Sequence, residues 1–134
     1  MKNWIYTLLP VIFLFSCEYK NNKPDKEEFF GSWIYDTDDE QIEKYVKSDT
    51  LSMNNFGLNF KPDNTLERVQ LIGGCATPPL EFEKVTGIWS QTSDSTILIK
   101  YNDWRGSIKD HYWIKNINNN QLSLKLIDYQ RTKR

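Results

Sequence analysis

Residues 121–127 read Gln-Leu-Ser-Leu-Lys-Leu-Ile. Leu122, Leu124 and Leu126 fall on one side of an extended chain, and Ser123, Lys125 and Ile127 on the other, the period-two pattern of a half-buried strand. Asn118-Asn119-Asn120 just before it is turn chemistry, and upstream of that a strand from about Ser107 to Asn116 carries Tyr112 and Ile114 on one face against His111, Trp113 and Lys115. Further back, Ile97, Ile99 and Tyr101 form an inward row. Thr92-Ser93-Asp94-Ser95 turns the chain between this row and Val85, Gly87 and Trp89. Another hairpin joins Phe56, Leu58 and Phe60 to a strand over 65–72 through Lys61-Pro62-Asp63-Asn64. Short strands at this spacing predict an all-β fold, a small antiparallel up-and-down barrel or a sandwich, and closure into a barrel would remove exposed sheet edges.

One segment breaks the alternation. Thr37 and Glu40 have capping-box spacing, and Ile42, Tyr45 and Val46 follow at helical intervals, so the pattern predicts a short helix near residues 38–47, with a solvated loop as the other reading of 36–48.

With 134 residues, 39% hydrophobic and 26% charged, the chain has the composition of one globular domain. Its 17 basic and 18 acidic side chains leave no basic excess to hold phosphates, which excludes a nucleic-acid partner. Met1 to Asn3 make a short positive start, followed by an apolar run from Trp4 to Phe15, then Ser16 and Cys17. That run falls short of the roughly 20 residues a membrane-spanning helix needs and has the length of a signal-peptide core. Residues 18–28 are polar, charged and interrupted by Pro24, which suits a tether. The expected organisation is therefore a signal peptide over 1–16, a modified N-terminus and tether over 17–28, and a barrel domain over 29–134.

Leu14-Phe15-Ser16-Cys17 resembles the lipobox of bacterial lipoproteins. The resemblance implies that Cys17 becomes the mature N-terminus, with diacylglyceryl on its sulfur and an acyl chain such as palmitate on its amine. The protein would then be anchored in the bacterial cell envelope on the periplasmic side, in the outer membrane by preference. Phe29-Phe30-Gly31-Ser32-Trp33 is similar to the G-x-W signature that opens the first strand of lipocalins, and Gly87-Ile88-Trp89 repeats it. Taken with the order of tether, strands and turns, the chain resembles the small bacterial lipocalin-like lipoproteins over residues 29–130. The resemblance implies that Trp33 plugs one end of the barrel, packed under Leu122, Leu124 and Leu126. It also implies an arginine from the last strand across Trp33, for which Arg131 is the candidate.

Little here suggests catalysis. His111 is the single histidine, and Cys75, in the bend Gly73-Gly74-Cys75-Ala76, lies far from it in sequence with no flanking motif of a cysteine enzyme. Asp36, Asp38, Asp39 and Glu40 lack the loop spacing and glycine of a calcium site, and Glu81 and Glu83 read as a solvated strand face. No catalytic residue, metal or cofactor is predicted. Two functions remain. In the first, the barrel holds a small apolar or amphipathic ligand, lined by Phe56, Leu58, Phe60, Ile97, Ile99, Tyr101, Tyr112 and Ile114. In the second, the core is filled and the protein is an interaction module, a subunit, scaffold or inhibitor that meets an envelope protein through its loops, with Trp104 and Arg105 in the turn Asn102 to Gly106 as the contact.

Overall fold

The computed structural model describes residues 23–74 and 78–133. Eight strands, β1 (Gly31–Asp39), β2 (Ile42–Ser48), β3 (Gly57–Phe60), β4 (Thr65–Leu71), β5 (Phe82–Ser93), β6 (Thr96–Asp103), β7 (Gly106–Ile117) and β8 (Gln121–Lys133), close into one antiparallel barrel. From β3 to β8 each strand pairs with the next, an up-and-down meander. The closure is made by β2 against β8, while β1 lies between β2 and β3. Since β2 and β3 both run antiparallel to β1, the connection over 49–56 climbs back past β1 before β3 can begin.

The segment expected to be helical is instead the first hairpin. Asp39 and Ile42 pair across a two-residue turn in which Glu40 (φ 49°) and Gln41 (φ 68°) are both left-handed, as a tight hairpin turn requires. A helix of two or three turns is marginal without packing. As a strand, β2 finds partners on both sides, β1 and β8, and a bulge between Tyr35 and Thr37 shifts the register of β1 against β2.

One end of the barrel is sealed by aromatic side chains. A short 3-10 helix, Lys26–Phe29, precedes β1 and buries Phe29 completely. The Phe29 ring meets Phe60 at 5.7 Å and Trp89 at 5.6 Å between centroids, and Phe60 and Trp89 meet edge-on at 5.0 Å. Trp33 is buried beside them and donates its indole N–H to the Phe29 carbonyl at 2.7 Å, so the plug carries no unsatisfied donor. The last residues of the expected tether dock on the closed end, where Gln91 donates to the Pro24 carbonyl and Lys23 pairs with Asp94.

Two glycines permit this closure. Gly31 has φ 103°, which only glycine adopts without strain, and a side chain there would press on Lys47. At Gly87 a Cβ would stand 2.3 Å from the Lys100 carbonyl oxygen, so a bare backbone is needed where β5 crosses close over β6.

Two details implied by the family resemblance are corrected. The cation across Trp33 is Lys47 of β2, its Nζ 4.2 Å from the ring centroid, whereas Arg131 lies toward the other end and pairs with Asp103. Leu122 and Leu124 are fully buried in the same core as Trp33, but Leu126 is 41% exposed. Pairing of β2 with β8 stops at Lys125, and past that point β8 keeps β7 alone as its neighbour.

Trp33→Ala should cost about 3 to 5 kcal/mol, a large part of the roughly 5 to 15 kcal/mol that holds such a domain folded. Trp104→Ala, at an exposed turn, should change stability by no more than about 0.5 kcal/mol. Urea titration of both variants tests the assignment, and similar small losses would show that Trp33 is no plug.

Candidate functional site

The opposite end of the barrel is built differently. Along β4, Leu66 and Arg68 share the inward face, and along β7 Ile108, Asp110 and Tyr112 do, so the strand period drives an arginine and an aspartate into the interior. They meet there: Arg68 Nη1 stands 3.7 Å from an Asp110 carboxylate oxygen, an ion pair without a hydrogen bond. The Arg68 guanidinium also lies over the Tyr101 ring at 4.7 Å, and Tyr101 donates its hydroxyl to Asp110 at 3.2 Å. Among the described residues Arg68 Nε and Nη1 and Asp110 Oδ1 are buried without a hydrogen-bond partner, an arrangement native interiors seldom retain without a reason.

Burial governs the protonation of this group. It pushes the Tyr101 hydroxyl up to about 12 and raises Tyr45 and Tyr112 as well, so all three stay neutral donors. It raises Asp110 too, against the pull of Arg68. Tyr45 donates to Glu43 at 2.7 Å, which holds that carboxylate at the rim.

Two cavities open on either side of Arg68 and Phe56, both of which line each of them. One, about 240 Å³, is walled by Tyr35, Tyr45 and Leu58 with the carboxylates of Asp38 and Glu43. The other, about 280 Å³, lies under the β6–β7 turn and is walled by Gln70, Tyr101, Trp104, Arg105 and Arg131. Phe56 stands between Tyr35 at 6.0 Å and Phe82 at 5.4 Å, both edge-on. A larger groove of about 580 Å³ runs along the outer wall past Thr86, Ile88, Lys100 and Gln130. Outward-facing side chains form most of it, with Tyr101 and Ile108 reaching it from within, whereas buried charge and aromatic rings converge at the mouth.

Of the ligand-lining residues expected from the sequence, Leu58, Phe60, Ile97, Ile99, Tyr101, Tyr112 and Ile114 belong to the packed core, and Phe56 sits at the mouth. Leu58 and Tyr101 reach both, since each also walls one of the two cavities. Trp104 and Arg105 form the β6–β7 turn beside the second cavity, with Trp104 62% exposed and Arg105 over its ring at 5.1 Å. His111 is on the outer wall, bonded to Thr92 at 3.1 Å. Cys17 and Cys75 lie outside the described residues. The sequence singled out neither Arg68, Asp110 nor Glu43 and read Asp38 only as part of an acidic cluster; for Arg68 and Asp110 the signal existed, because a charged residue at inward parity within a strand stands out once phase is assigned.

Asp103 and Arg131 tie β6 to β8 across the rim through two hydrogen bonds of 2.7 and 2.9 Å. The Arg131 guanidinium holds the Asp103 carboxyl below the usual carboxylate range. Stability from this pair is complete above the ordinary aspartate value of about 3.9 and is lost as pH falls through the depressed value. Asp103→Asn should therefore cost about 1 kcal/mol at neutral pH, between an exposed and a buried pair. The variant and the parent should converge in acid, as urea titration over a pH series would read; parallel curves would remove the pair from the account. Comparison with family models, with curated proteins and with solved structures gave no match, which leaves the geometry of the mouth to carry the functional reading.

Proposed function

We propose that this chain is a lipid-anchored protein of the bacterial cell envelope that binds a small amphipathic ligand at the open mouth of a lipocalin-like barrel. The observation that carries the binding reading is the contrast between the two ends. Aromatic rings fill one end, while the other holds two adjoining cavities around Phe56 and Arg68. Apolar walls from Phe56, Leu58, Leu71 and Ile108 favour a hydrocarbon or ring portion, and the charged groups among them favour a polar head. The anchor rests on Cys17 following the apolar run, and the diacylglyceryl and acyl chains together would make attachment effectively permanent.

The interaction-module reading draws on the filled core and on Trp104, which projects beside Arg105 at the rim. One titration separates the two. An anilinonaphthalene sulfonate dye should brighten on binding the mouth, and Phe56→Ser and Trp104→Ala should each weaken it. Dye binding unchanged by both variants would take ligand binding away from the mouth and favour the interaction module.

For the anchor, Cys17→Ser should move the protein out of the membrane fraction or leave its leader uncleaved. Intact-mass analysis of the parent should show added acyl mass, and an unmodified Cys17 would end the lipoprotein reading.

A further inference from the structure

The two cavities of the mouth are oppositely charged. The first has the carboxylates of Asp38 and Glu43 within a wall of Tyr35, Tyr45 and Phe56, and the one cation it touches, Arg68, already faces Asp110. Acidic groups beside aromatic faces form the environment that holds an organic ammonium. The sign of the field is visible in Tyr35, whose hydroxyl is raised by burial and then by Asp38 and Glu43. The second cavity has three guanidinium groups, Arg68, Arg105 and Arg131; Asp110 faces Arg68 and Asp103 holds Arg131, which leaves Arg105 as the cation in excess. Guanidinium groups with nitrogens to spare hold a carboxylate, phosphate or sulfonate. Arg68 lines both cavities, its Nε and Nη1 buried without a hydrogen bond from the described residues, and Phe56 is the apolar surface common to both.

We propose that the ligand is a zwitterion: its ammonium group sits among Tyr35, Asp38 and Glu43, its anionic group faces Arg68, Arg105 and Arg131, and a short apolar span crosses Phe56. This inference rests on the mouth being the binding site and adds the charge pattern of what binds there. A ligand with one charge satisfies one cavity and leaves the other to water; a zwitterion of suitable length satisfies both, and its second contact is made at high local concentration.

Calorimetric titration of the intact protein with aminohexanoate, its ammonium and carboxylate at opposite chain ends, is compared with hexanoate and with hexylammonium. The zwitterion should bind roughly tenfold more tightly than either singly charged probe. Asp38→Asn and Arg105→Gln alter exposed side chains away from the core and should leave the fold intact, as circular dichroism would confirm. Asp38→Asn should weaken aminohexanoate and hexylammonium by roughly two- to fivefold and spare hexanoate, and Arg105→Gln should weaken aminohexanoate and hexanoate and spare hexylammonium. Hexanoate binding as tightly as aminohexanoate, with Asp38→Asn silent, overturns the zwitterion and leaves the mouth as a site for amphiphiles. No binding by any of the three probes, with the dye still held at the mouth, likewise overturns it; loss of dye binding as well overturns the mouth itself.

Discussion

A barrel of eight strands has an interior that its own side chains can fill or that can hold one small ligand, and here the space at one end is taken by Trp33, Phe29, Phe60 and Trp89. The packing of these rings depends on Gly31 and Gly87, on the indole bond to the Phe29 carbonyl, and on Lys47 lying over the outer face of Trp33. Once that end is filled, nothing of ligand size fits among Ile97, Ile99, Leu122 and Leu124, all fully buried. Open space is left at the other end. Beyond Lys125, β8 outruns β2, and ahead of Gly87, β5 is no longer paired with β6, so the barrel wall is incompletely paired toward the far end, where the mouth lies.

Polar side chains line that mouth. An arginine with two buried nitrogens that lack a hydrogen bond from the described residues, 3.7 Å from its aspartate, is a poor way to stabilise a fold, since apolar residues of similar volume commonly serve as well or better. The surrounding tyrosines reduce the cost: Tyr101 is both a face for Arg68 and a donor to Asp110. The Asp103–Arg131 pair then fixes the rim, so the turn carrying Trp104 is held in place over the second cavity.

Strands with clean alternation were legible from the residues alone. Leu122 and Leu124, Ile97 and Ile99, and Tyr112 and Ile114 face the core as their spacing requires. The first hairpin was not legible, because its turn uses Glu40 and Gln41 in left-handed conformations where glycine or asparagine is the usual signal, and because the bulge after Tyr35 breaks the period. The placing of β1 between β2 and β3 has no local signature, being decided by which edge β8 closes on. The charged half of the mouth was hidden for another reason. Composition treats Arg68 and Asp110 as surface residues, and only strand phase turns them inward.

The lead-in to the barrel runs along the closed end, where Lys23 meets Asp94 and Gln91 holds the Pro24 carbonyl. Lys23 is six residues from Cys17, an extended span of at most about 20 Å. A lipid on Cys17, as proposed, would therefore give the molecule a direction. The aromatic plug would face the bilayer and the charged mouth would face away from it, so that a ligand at the mouth would exchange with the aqueous compartment and not be drawn sideways from the lipid.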